Sequence, residues 1–193
     1  QAVTKSWMED FITKHFGGTN NENQVPVIKQ FDDVKHTTAE FVYVGPNTPD
    51  GVGDAYLLED AEPMINSLNK AIEEGRLQSG LFHKHKTEQY RVTKAWLAEE
   101  DCVMGEVEVK KNDPLMEVEY LSEKLFELRK AGRIMGPSIG ARAKDIIIVE
   151  DGIEKSLGET ELFLGKGNPL ESIQSDKKIK RILKGINFDW PNP

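Results

Sequence analysis

Met135-Gly136-Pro137-Ser138-Ile139-Gly140-Ala141-Arg142-Ala143 leads, through Lys144, into Asp145-Ile146-Ile147-Ile148-Val149-Glu150. The first part sets one hydroxyl between two glycines, which let the backbone turn sharply and a substrate carbonyl come close. The second part is an apolar run of strand length. Alone, the string reads as a turn entering a strand. Before it, Glu119 to Lys130 has helical spacing, with Leu121, Leu125 and Leu128 inward and Gly132 as the C-cap residue. A helix, a glycine turn and a strand in that order set the pattern for the rest of the chain.

Val3, Trp7, Met8, Phe11 and Ile12 predict an amphipathic helix over Val3 to Phe16, stopped by Gly17-Gly18. Val25 to Ile28 and Thr38 to Val44 read as strands, and Gly45 to Asp54 as a turn or exposed loop. Asp60 and Pro63 open a second helix with the stripe Met64, Ile65, Leu68, Ala71 and Ile72, ended by Gly75. Leu81 to His85, Tyr90 to Leu97 and Val103 to Val109 read as strands. In the last of these, Val103, Gly105, Val107 and Val109 share one face, and Met104, Glu106 and Glu108 the other. Beyond Asp151 the pattern weakens, and Asp176 to Lys184 reads as a short basic helix with Ile179, Ile182 and Leu183 on its apolar face. The expected class is α+β: a mainly antiparallel β-sheet or barrel surrounded by several helices. The expected organisation is an N-terminal helix and loop (1–30), a core (31–155) and a C-terminal extension (156–193).

The 193 residues carry 25 basic and 33 acidic side chains, a net charge of −8 that argues against a nucleic-acid partner. No apolar run reaches the length that spans a bilayer, so no membrane partner is expected. The single cysteine, Cys102, excludes an internal disulfide framework and a cysteine-based zinc site, and fits a cytoplasmic compartment.

A serine is a weak nucleophile unless a base takes its proton, and histidine is the usual base. There are four histidines. His15 ends the first helix, where it can interact with terminal carbonyls, and His36 falls in a polar, solvated connection. His83 and His85 stand two apart on one strand candidate, hence on one face. That spacing also suits a metal, but a third and fourth ligand would have to be carboxylates or His36. Gly136-Pro137-Ser138-Ile139-Gly140 matches the G-x-S-x-G elbow of α/β-hydrolases. Those enzymes need a histidine after the serine and a helix following it. No histidine follows Ser138, and a strand does, so the elbow reading fails. A catalytic pair here runs histidine first, then serine.

Gly80-Leu81-Phe82-His83, Ala95-Trp96-Leu97, Gly105-Glu106-Val107 and Gly136-Pro137-Ser138-Ile139-Gly140-Ala141-Arg142-Ala143 together resemble the prohead (capsid maturation) serine proteases of tailed bacteriophages, relatives of the herpesvirus assemblins. Asp50-Gly51-Val52-Gly53-Asp54, followed by a helix, is similar to the loop before the histidine in some branches. The resemblance spans Ala39 to Glu150. It implies an assemblin-like fold and an endopeptidase that trims scaffold and major capsid proteins, and itself, inside the assembling procapsid in the host cytoplasm. Ser138 is the implied nucleophile and His83 the implied general base. The third member is open among His85 and the acids Glu106, Asp101 and Glu108. Gly140 and Arg142 are the candidates for the oxyanion and substrate. No cofactor and no metal are expected, and a homo-oligomer is compatible with the family. Two other readings stand beside this one: an inactive procapsid core or scaffold component of the same fold, and a histidine-dependent metallohydrolase.

Overall fold

The structure is a computed structural model, which describes residues 31–50, 53–77, 80–81, 85–86, 88–105, 107–134, 139–150, 153–164 and 179–188. The helix expected over Val3 to Phe16 and the strand over Val25 to Ile28 lie outside these residues, as do Trp7 and Trp190.

The described chain is α+β, with fourteen strands and two α-helices. Two four-stranded sheets form its framework. In the first, the order is β1 (Phe31–Asp32), β2 (Thr37–Phe41), β9 (Pro114–Tyr120), β6 (Tyr90–Leu97), antiparallel throughout. In the second it is β12 (Ile153–Ser156), β11 (Asp145–Glu150), β14 (Arg181–Lys184), β3 (Asp54–Tyr56). There β14 and β3 run parallel and the other pairs antiparallel. Three two-stranded ribbons complete it: β4 (Gly80–Leu81) with β5 (His85–Lys86), β7 (Cys102–Met104) with β8 (Val107–Val109), and β10 (Ile139–Ala143) with β13 (Thr160–Leu164). The sheets are open. The expected barrel with several surrounding helices gives way, among the described residues, to open sheets with α1 (Ala61–Glu73) and α2 (Glu123–Lys130).

Helix α1 follows the predicted stripe. Met64, Ile65, Leu68 and Ala71 are buried together with Val92 and Ala95 of β6, Met116 and Val118 of β9, Tyr56 of β3, Ala141 and Ala143 of β10, Ile146 of β11 and Leu183 of β14. One apolar stripe thus gathers strands from both sheets and from the β10 ribbon. Asp60 precedes the helix but does not cap it through its side chain. Its Oδ1 accepts the Gly185 amide at 3.2 Å.

Four other expectations change. The helix expected from Glu119 starts at Glu123, because Met116, Val118 and Tyr120 alternate into the core as a strand. Ser122 then stops the strand and caps α2, its Oγ accepting the Leu125 amide at 3.3 Å. Leu121, expected inward, is exposed at the junction. Val103 to Val109 is a hairpin rather than one strand. Met104 pairs with Val107, and Gly105, at φ 65°, takes the left-handed conformation the reversal needs. So Val103 is exposed, while Val107 and Val109 are buried. Leu81 to His85 likewise folds back on itself, with Leu81 opposite His85. In the tail, Arg181 to Lys184 is a strand, because hydrogen-bonding partners on both sides outweigh the weak helical spacing of a short segment.

Candidate functional site

Ser138 lies outside the described residues, and the strand after it is described from its first residue. Ile139 opens β10 and pairs with Leu164, and Gly140 pairs with Phe163. Ala141 and Ala143 are buried in the main core. Alternation therefore puts Gly140 and Arg142 on the opposite face of β10. The Arg142 backbone exchanges two hydrogen bonds with Asn187, at 2.9 and 2.8 Å. Its guanidinium, one-third exposed, reaches Glu159 Oε1 at 3.5 Å. A cation on the β10 face that carries Gly140 is thus partly matched by a surface carboxylate.

His83 also lies outside the described residues. On either side of it in the chain, β4 ends at Leu81 and β5 starts at His85. Leu81 pairs antiparallel with His85, so Leu81 to His85 is not one extended strand, and the common face expected for the two histidines lies outside the described residues.

Of the acids named from sequence, Glu106 lies outside the described residues. Asp101 and Glu108 are brought together on the exposed β7–β8 hairpin by Lys110, whose Nζ is 3.2 Å from Glu108 and 3.9 Å from Asp101. The hydrogen bond that the Lys110 ammonium donates to Glu108 does most to hold it above its ordinary pKa. Asp101 Oδ1 also accepts the Lys111 amide at 2.8 Å. Both carboxylates are thus engaged in holding the base of that hairpin. His36 is not simply solvated. It is half-buried, in the left-handed region at φ 52°, and its ring stacks on Phe126 at 4.8 Å. Among the described residues no three His, Cys, Asp or Glu side chains gather as a metal requires.

Sequence reading passed over a polar cluster built from the loop it took as exposed. Tyr43 Oη donates to Asp50 Oδ2 at 2.9 Å, and the Asp54 amide donates to Asp50 Oδ1 at 2.9 Å. Arg181 then grips Asp54 with two hydrogen bonds of 2.6 Å. Burial first, and then the Asp50 charge, push the Tyr43 phenol well above its ordinary pKa, so it stays protonated and acts as a donor. The loop packs so closely that a Cβ at Gly45 would stand 2.2 Å from Asp113 Oδ1. A side chain there would have to push the Asp113 carboxylate aside. Asp113 in turn accepts the Lys110 amide at 2.7 Å. The available signal was the repeated aspartate at positions 50, 54 and 113, facing tyrosines at 43 and 56.

Helix α1 ties β6 and the segment that pairs with β10 to one frame. Asn69 donates from Nδ2 to the Ala95 carbonyl and accepts the Ala95 amide on Oδ1, both at 2.8 Å, which fixes β6. Two residues earlier, Ser67 Oγ accepts the Phe188 amide at 3.2 Å, next to the Asn187 that pairs with β10. No protein-family model, curated protein or solved structure matches the chain.

Proposed function

We propose that this chain is a serine endopeptidase of the prohead type, with Ser138 as nucleophile and His83 as general base. The observation that carries the reading is the start of β10 at Ile139, directly after Ser138. A strand, not a helix, follows the serine, which is against the hydrolase elbow and leaves the histidine-first pairing of the prohead resemblance. The chain order of histidine and serine supports the same assignment.

In chemical terms, His83 takes the Ser138 Oγ proton as that oxygen attacks the scissile carbonyl. The tetrahedral oxyanion needs donors, which the backbone N–H groups near Gly140 and the Arg142 guanidinium supply. His83 then returns the proton to the leaving amine. Water, deprotonated by the same imidazole, releases the acyl group from Ser138. His85 is the nearest candidate in sequence for orienting His83. The substrates are scaffold and major capsid proteins, and the chain's own termini, inside a procapsid in the host cytoplasm.

The test is mass spectrometry of the chain's termini and of co-expressed scaffold and capsid proteins, for wild type, Ser138→Ala and His83→Ala. Wild type should process them, and either variant should be slower by about 10³-fold or more. Identical termini and intact scaffold in all three would overturn the enzyme reading in favour of an inactive scaffold component.

A further inference from the structure

The two four-stranded sheets differ on the sides turned away from the main core. In the first, Lys94 stands opposite Glu117 and Arg91 opposite Glu119, and both pairs form ion pairs. That is the pattern of a sheet face that meets water. The second sheet departs from it. Ile146 of β11 and Leu183 of β14 are in the main core, so alternation sends Ile147, Val149 and Ile182 to the other side. These three are half-buried, and among the described residues they belong to neither apolar cluster. A strand that is apolar on both faces suits a sheet covered on both faces.

Register sorts this outer face into three rows. The middle row runs Ser156, Ile147, Ile182 and Ala55, of which Ala55, at the β3 edge, is buried. At one end Asp145 stands opposite Lys184. At the other the Val149 amide donates to the Lys180 carbonyl, which sets the exposed Lys180 beside Val149. Lys184 reaches the exposed Glu59 at 3.1 Å. Asp145 is held by the Ser156 hydroxyl and by amides, and among the described residues it has no cation.

We propose that this face docks a second copy of the chain, related by a two-fold axis parallel to the strands. Such an axis lays β11 over β14 of the partner subunit and keeps each end row against itself. Ile147 then faces Ile182 of the partner subunit, and Asp145 gains Lys184 of the partner subunit as its cation. The other in-plane axis, across the strands, sets Lys184 against Lys180 of the partner subunit, and like charges disfavour it. The face is small, so the dimer is weak and depends on concentration. None of this rests on the serine-protease reading.

The experiment is sedimentation velocity of the full chain from about 5 to 500 µM, a range that brackets a weak self-association. Wild type is compared with Ile147→Thr combined with Val149→Thr, with Asp145→Asn, and with Val103→Thr on the β7–β8 hairpin as a control. Thermal scans of each protein run alongside. Wild type should pass from monomer to dimer across the range. The double variant should raise the dissociation constant at least about tenfold. Asp145→Asn should raise it about two- to fivefold, and Val103→Thr should leave it unchanged. If the double variant does not fold, the Asp145→Asn comparison decides. Wild type that stays monomeric at every concentration overturns the inference; a double variant that then also melts well below wild type would mean that the chain covers this face itself. A dimer that survives the double variant, or that Val103→Thr abolishes, overturns it as well, because another surface then joins the copies.

Discussion

Each four-stranded sheet is pinned by one arginine that grips one carboxylate through two nitrogens, and the two clamps differ in burial. Arg129, on α2, bonds Glu40 of β2 at 2.9 and 2.6 Å, with the two side chains 1% and 2% exposed. Arg181, on β14, bonds Asp54 of β3 at 2.6 Å twice, with its own side chain 41% exposed and that of Asp54 8%. The geometry is the same, but the solvent is not. A fork-to-carboxylate pair near water gains modest net energy, because water competes for both ions. The same pair inside the fold bears the desolvation of two charges, and losing either partner strands the other. Glu40 also accepts the Thr38 hydroxyl at 2.9 Å, so its carboxylate is well supplied with donors. Burial nonetheless pushes the Glu40 carboxyl above its ordinary pKa, against the pull of Arg129.

The largest effect should come from Arg129→Met, which leaves Glu40 buried without its cation. Urea unfolding at neutral pH should show a loss of about 3–5 kcal/mol. Glu40→Leu together with Arg129→Met should recover most of it, because the second change removes the stranded charge. The pH dependence has a fixed sign. A carboxyl whose folded pKa is raised contributes stability below its ordinary value and loses it as pH rises through the folded value. Arg129→Met raises Glu40 further, so this variant should be weakest at neutral pH and gain on wild type as the medium is acidified towards pH 4.5. A loss below about 1 kcal/mol, independent of pH, would mean that the two clamps do not differ as their burial implies.

Asp54→Asn and Arg181→Met should each cost about 1 kcal/mol, with a coupling in the double-mutant cycle no larger than that. Added salt should shrink this coupling and leave the Glu40–Arg129 coupling nearly untouched, since ions screen the exposed pair and not the enclosed one. Equal salt sensitivity at both clamps would erase the distinction.

Neither clamp was legible in the sequence, and the reason is shared. Glu40 and Arg129 are 89 residues apart and Asp54 and Arg181 are 127 apart, so no periodicity connects them. What local patterns encode was recovered. Tyr90 to Leu97 and Asp145 to Glu150 are strands at the expected bounds, and the stripe of α1 is buried as its spacing predicts. Readings failed where alternation and turn chemistry competed: Gly105 reversed a supposed single strand, and the pairing of Leu81 with His85 did the same upstream. The Arg181–Lys184 strand was hidden because its partners, β11 and β3, are far away in sequence. Of the site, the sequence reading had a turn entering the strand Asp145 to Glu150, where Ile139 to Ala143 is already a strand of its own, and the Asn69–Ala95 tie spans 26 residues and left no trace in any motif.

Asp145 completes the series as a carboxylate held with no arginine at all. Ser156 Oγ donates to it at 2.7 Å, and the amides of Ile146 and Gly158 donate to Oδ1 at 2.8 and 2.7 Å. The Ser156 hydroxyl first, and then the Gly158 amide, hold its carboxyl below the ordinary value of 3.8. For a carboxyl lowered in the folded state, the stabilisation is present above that ordinary value and disappears as pH falls through the folded one. Asp145→Asn should therefore lower the melting temperature slightly at neutral pH, the smallest effect of the three. The gap to wild type should close as the medium is acidified below pH 3.8. Thermal scans of the two proteins across that range decide it. A gap that persists in acid would mean that the turn is held by the shape of the side chain rather than its charge. Neutral donors around an ion would then count for less than either arginine clamp suggests.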